Sequence, residues 1–138
     1  MSAAVDAAIE RAKVSEGFRQ YPYRDTEGYL TIGYGCCLDS GWDQNLALEV
    51  LRYQMAAAEQ QIVNEPWYAD LNAARQSVLT EMVFNLGFGN FIQFHRLLDA
   101  LDRKNYADAS NEMLNSKWAS QVGARAQKLA QIMATGEP

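Results

Sequence analysis

The stretch SEGFRQYPYRDTEGYLTIGYGCCL, residues 15–38, decides the fold. Aromatic and β-branched residues dominate it, and Pro22, Glu27-Gly28, Gly33 and Gly35 punctuate it, so it reads as short antiparallel strands joined by tight turns. It is the one convincing β segment. Upstream, Ser2 followed by Val5, Ala8, Ile9 and Ala12 at three- and four-residue spacing predicts a capped amphipathic helix, with Gly17 as its stop and Glu16 at its C-terminal end. Downstream, Ser40 with Asp43 three residues on resembles a capping box, and Leu48, Leu51, Met55, Ala58 and Ile62 form one apolar stripe that Asn64 and Pro66 end. The spacing predicts a helix over 41–63, about 30 Å long. Helical patterns follow over 70–86, 91–103, 106–114 and 123–133, with a break at Gly87-Phe88-Gly89-Asn90 and a frayed end at Thr135-Gly136-Glu137-Pro138.

The 138 residues carry 12 Lys+Arg against 17 Asp+Glu, a formal charge of −5, with 49% apolar and 21% charged residues. That composition suits one globular domain that buries about two-thirds of its unfolded surface. Neutralising phosphates takes clustered Lys and Arg, and no basic run exists, so a nucleic-acid partner is set aside. No segment approaches the roughly 20 apolar residues of a membrane span, and Asp6, Glu10, Arg11 and Lys13 make the N-terminal stretch neither a signal nor an anchor. Cys36 and Cys37 are neighbours whose side chains diverge along an extended backbone. This usage suits synthesis in a reducing compartment. With His95 as the single histidine, a four-ligand zinc site cannot be assembled from His and Cys.

Hydrolysis of a glycosidic bond needs two carboxyl groups across one sugar–oxygen bond, and Glu16 and Asp25 are the candidates. Taken singly, Glu16 is a solvated helix end, Asp25 an Asx-turn residue and Thr31 a strand residue. Acidic residues are frequent enough that the Glu16–Asp25 spacing alone means nothing. Context carries the case: Asp25 approaches a Thr-Glu-Gly turn, Thr31 lies on the returning strand, and a hairpin brings all three to one edge. Gly33 and Gly35 serve backbone conformation and are not a dinucleotide fingerprint, since that motif's third glycine position holds Leu38.

Ser15-Glu16-Gly17-Phe18, then Tyr23-Arg24-Asp25-Thr26-Glu27-Gly28-Tyr29, then Thr31-Ile32-Gly33-Tyr34-Gly35 resemble the active-site region of the phage-type lysozymes, the bacteriophage endolysins. The family pattern is a Glu, eight residues, an Asp, five residues and a Thr, followed by Ile-Gly-x-Gly, and every position matches. The similarity continues in Met82-Val83-Phe84-Asn85-Leu86-Gly87, Ser116-Lys117-Trp118, Gln121 and Arg125-Ala126. The resemblance implies an α+β, mainly α, lysozyme-like fold. A β-hairpin lobe at 15–40, a connecting helix at 41–64 and a helical lobe at 65–138 that includes the helix 1–14 would flank a cleft. It implies a muramidase that cleaves the β-1,4 bond between N-acetylmuramic acid and N-acetylglucosamine of peptidoglycan with inversion, using no metal or cofactor. Glu16 is then the general acid, while Asp25 and Thr31 hold and activate the water. Asn85, Phe84, Arg125, Tyr29 and Gly33 are expected at the sugar site.

The resemblance further implies a monomer made in the host cytoplasm, with no stable membrane association, that reaches the cell wall after a holin opens the membrane. The sequence departs from the family pattern in four respects, the first being a short last helix. Cys36 stands where many relatives have a His that pairs with an acid, the linker from Leu38 to the long helix lacks an extra helix, and the charge is acidic where many relatives are basic. Two other readings compete: a lytic transglycosylase, and a lysozyme-like domain without activity that binds the wall or builds the phage particle. A thiol peptidase built on Cys36 or Cys37 with His95 lacks a nucleophile signature. Trp67 and Trp118 read as core anchors.

Overall fold

The computed structural model describes residues 1–138. It is mainly helical with one small antiparallel sheet, and it divides into two compact units, Met1–Leu48 and Glu49–Pro138. No helix is long and apolar enough to cross a membrane.

In the first unit, α1 spans Ala3–Glu16. Ser2 caps it, with its Oγ accepting from the Val5 N–H at 3.3 Å, and Gly17 at φ 70° ends it while its N–H reaches the Lys13 carbonyl. Strands β1 (Arg19–Arg24), β2 (Leu30–Gly33) and β3 (Cys36–Cys37) follow in sequence order, each antiparallel to the next. Arg19 pairs with Gly33 and Tyr23 with Thr31, so the register slips across Gln20-Tyr21-Pro22. Pro22 has no N–H to give to a ladder, which suits it to the irregular part of the strand. Asp39 closes the sheet's other side by accepting the Leu30 N–H at 2.8 Å on Oδ2.

Helix α2 spans Gln44–Ile62. Its cap is Asp43, whose Oδ1 accepts the Leu46 N–H at 2.8 Å, and not Ser40: the turn that Gly41 makes at φ 73° separates Ser40 from the helix start. Of its apolar stripe only Ala58 and Ile62 are buried, while Leu48 and Leu51 are each 41% exposed. Periodicity identifies the apolar face of a helix but not what lies against it.

The second unit continues with α3 (Ala73–Leu86), α4 (Phe88–Phe91), α5 (His95–Asp102), α6 (Tyr106–Leu114), α7 (Lys117–Val122) and α8 (Ala124–Thr135). Helix α8 packs on α3, α6 and α7, and α5 packs on α6, around a core that includes Ile62, Leu79, Met82, Phe91, Leu97, Leu101, Met113 and Met133. Trp67 and Trp118 are both buried in it, as their reading as core anchors predicts. The break expected at Gly87–Asn90 falls later. Gly87 ends α3, but Phe88–Phe91 forms a helical turn and the chain leaves it at Ile92, because Phe91 is fully buried with its ring 6.2 Å from Trp67. A short helix also occupies Lys117–Val122, where none was expected; Ser116 caps it on the Ala119 N–H and Gly123 stops it.

The C-terminal end is held rather than frayed. Asn72 donates to the Gly136 carbonyl at 2.8 Å, and Arg75 donates to the carbonyls of Met133 and Ala134 at 2.7 and 3.0 Å. Inside the core, the buried Ser110 hydroxyl donates to the Ala130 carbonyl at 2.7 Å and joins α6 to α8.

Tyr68 is buried and donates its phenol hydrogen to Glu59 Oε2 at 2.7 Å. Burial first, then that hydrogen bond and the charge of Glu59, push its pKa from near 10 up to about 12. A proton held more tightly in the folded state stabilises the fold below the unfolded value, and that stabilisation is lost as pH rises from about 10 to about 12. Urea unfolding across this range is therefore expected to show a steeper loss of stability for wild type than for Tyr68→Phe. Parallel slopes would exclude the linkage.

Candidate functional site

Glu16 is the last residue of α1, and Gly17 turns the chain immediately into β1. Its side chain is exposed and makes no hydrogen bond to protein; it rests instead on the β2–β3 turn at Gly35. An L-Cβ at position 35 would lie 2.7 Å from Glu16 Oε2 and 2.9 Å from its Cδ. The carboxyl therefore lies directly against the Gly35 backbone.

Asp25 sits at the other turn, between β1 and β2. Its Oδ1 accepts the N–H groups of Glu27 and Tyr29, both at 2.9 Å, while its own N–H donates to the Tyr29 carbonyl at 2.9 Å. A carboxylate is suited to this turn because one oxygen can satisfy two backbone donors. Oδ2 takes no part in these bonds. Thr31 is buried at 4% exposure, and its hydroxyl donates to the same Tyr29 carbonyl at 3.0 Å. Asp25 and Thr31 are thus tied to one residue, Tyr29, from its N–H and its C=O.

The strand register adds to this arrangement. Thr31 pairs with Tyr23 on one side and Cys37 on the other, so these three side chains share one face of the sheet. The guanidinium of Arg19 covers the Tyr23 ring at 4.5 Å. The Tyr29 side chain is exposed, and Gly33 takes a positive φ of 67° in the turn that leads to Gly35. Cys36 and Cys37 are free, half-buried thiols. No group of three or more His, Cys, Asp or Glu side chains is assembled as a metal-binding cluster.

The remaining candidates lie in the second unit. Asn85, at the end of α3, accepts the Trp118 indole N–H on Oδ1 at 3.1 Å. Phe84 is half-buried against the core. Arg125, on α8, donates to Glu81 Oε1 at 2.9 Å, so its carboxylate partner within this unit is Glu81. Tyr29, expected at the sugar site, holds Asp25 and Thr31 through its peptide group. Sequence reasoning passed over two contributors. Glu81, on α3, bonds Arg125 across 44 residues, and Asp39, nine residues from Leu30, holds β2. Only Asp39 left a trace in the sequence, as an acid just after the last strand.

A family model described as phage lysozyme matches residues 13–132. The chain belongs to the phage lysozyme family. Two relatives from Dictyostelium discoideum, "Probable T4-type lysozyme 1" and "Probable T4-type lysozyme 2", are each 26% identical to it over 96% of both chains. The "Pre-baseplate central spike protein Gp5" of Enterobacteria phage T4 is also 26% identical, over 92% of this chain and 27% of that protein. For a phage lysozyme family member, the Glu16, Asp25 and Thr31 motif lies in one compact unit, and the match spans both units.

Proposed function

We propose that the protein is a muramidase that hydrolyses the β-1,4 bond between N-acetylmuramic acid and N-acetylglucosamine in peptidoglycan with inversion. The observation that carries the reading is that the two carboxyl groups lie at opposite ends of β2, Asp25 hydrogen-bonded at the turn before Leu30 and Glu16 resting on the turn after Gly33. An inverting pair needs about 6.5–9.5 Å between carboxyl groups so that a water fits between base and sugar. In this reading Glu16 gives its proton to the leaving oxygen. Asp25 takes a proton from the water through the oxygen that the turn leaves free, and the water oxygen attacks the opposite face of the sugar carbon. The Thr31 hydroxyl hydrogen is engaged by the Tyr29 carbonyl, so that hydroxyl meets the water as an acceptor.

Mass spectrometry of peptidoglycan digests tests this. Hydrated muropeptides with a reducing end are expected; anhydro-muropeptides would establish a lytic transglycosylase. Asp25→Asn is expected to keep the turn, because Oδ1 still accepts both N–H groups, yet to lose about 10²-fold or more of activity with the base. A folded Asp25→Asn variant with wild-type rates would remove Asp25 from the mechanism.

The setting proposed with this activity is an endolysin that reaches the wall after holin action. The similarity to a quarter of a spike protein supports a second setting, a domain of the phage particle. Wall binding without cleavage by the folded protein would favour that setting in its inactive form.

A further inference from the structure

We propose that Gly35 is a positioning residue that seats the Glu16 carboxyl, an inference that rests on Glu16 being the general acid. Five glycines of the first unit, Gly17, Gly28, Gly33, Gly35 and Gly41, have positive φ, so backbone conformation favours glycine at each. Four of them face open space: a Cβ added at Gly17, Gly28, Gly33 or Gly41 meets nothing within 4 Å. Gly35 differs. Its Cβ would fall 2.7 Å from Glu16 Oε2, 2.9 Å from Cδ and 3.2 Å from Cγ, so the space a side chain would take is already filled by the carboxyl.

The atoms in contact are the far end of an exposed side chain with no hydrogen bond to protein. A methyl group at position 35 is accommodated by swinging that end away, which costs the fold little and the acid its place. A general acid must come within about 2.6–3.2 Å of the oxygen it protonates. A displacement near 1 Å at such a group costs about 10²-fold. Gly35 therefore acts through Glu16 and touches no reacting atom.

The test compares Gly35→Ala with Gly41→Ala and Glu16→Gln on solubilised peptidoglycan. Gly41 has φ 73° against 75° for Gly35, so the two alanines carry similar backbone strain, and only one crowds the acid. Gly35→Ala is expected to lower kcat about 10²-fold with little change in KM. Gly41→Ala is expected to keep the wild-type kcat, with a similar loss of thermal stability. Because Gly35 precedes Cys36, ligating a 1–35 thioester to residues 36–138 introduces D-alanine at position 35 without other change. D-alanine accepts positive φ and directs its methyl along the other Cα–H bond, so it is expected to restore kcat.

Gly35→Ala with the kcat of Gly41→Ala, alongside an inactive Glu16→Gln, overturns the positioning role and leaves the Glu16 reading standing. An active Glu16→Gln overturns both. D-alanine as slow as L-alanine also overturns the proposal. If Gly35→Ala melts far below Gly41→Ala, the double variant Glu16→Ala/Gly35→Ala decides: recovered stability supports the contact, and no recovery overturns it.

Discussion

Replacing Glu16 by Gln is expected to lower peptidoglycan hydrolysis by about 10²–10⁴-fold, the range that loss of a general acid spans. Gln matches Glu in size, and the exposed Glu16 side chain makes no hydrogen bond, so the fold gives up nothing that its amide fails to replace. On the proposed mechanism, what is lost is the proton that Glu16 gives to the leaving oxygen. The check pairs a rate on purified wall with a thermal melt of the same preparation. An unchanged melt with muropeptide release reduced to background assigns the acid, whereas a normally folded variant that still clears wall at a substantial rate moves the acid elsewhere. Loss of fold alone cannot imitate the expected result, because a stability change of more than about 0.5 kcal/mol is unusual at an exposed position without partners.

Phe91→Ala is expected to cost about 3–5 kcal/mol, the range for deleting a buried aromatic ring. Phe91 has no exposed surface, its ring lies 6.2 Å from that of Trp67, and its N–H donates to the Gly87 carbonyl within the single turn of α4. Removing the ring leaves a cavity against Trp67 and frees the segment that carries the chain from α3 to α5. For a unit of about this size, a loss of that magnitude lowers the melting temperature on the order of 15–30 °C. Ile92 is the control beside it: at 36% exposure, its replacement by Ala is expected to change stability by well under 1 kcal/mol. Differential scanning calorimetry on the two variants separates them. Similar melts for both would mean that Phe91 does not anchor the core.

The parts of this protein that the residues disclosed are those whose partners are close in sequence. Ser2 caps a helix because Val5 is three residues away, Gly17 ends it because a positive φ is cheap there, and helix 106–114 has its cap at Asn105 and its apolar face within itself. The turn at Asp25 is equally local, since both donors to its carboxylate come from within four residues. The Glu16, Asp25 and Thr31 pattern was legible for the same reason, being a run of short spacings with turn residues between them. The helix expected at 41–63 also stands, trimmed to Gln44–Ile62 by a cap at Asp43 that hydrogen-bond geometry, and not residue type, selects over Ser40.

Long-range packing decided the rest. Phe91 is drawn against Trp67 from 24 residues away, and that burial moves the break in the chain from Gly87–Asn90 to the residues after Phe91. Asn72 and Arg75 bind carbonyls near the C-terminus across 58 to 64 residues, which holds an end whose composition suggests fraying. Glu16 meets Gly35 only because two turns of the sheet unit bring a helix end to a strand end. By itself the sequence determined the longer helices, the turn chemistry and the family motif, since their hydrogen bonds and dihedral preferences act within a few residues. Which apolar faces are covered, which acid Arg125 pairs with inside the helical unit and what lies against the Glu16 carboxyl were decided by tertiary structure, because those contacts join residues that sequence spacing does not relate.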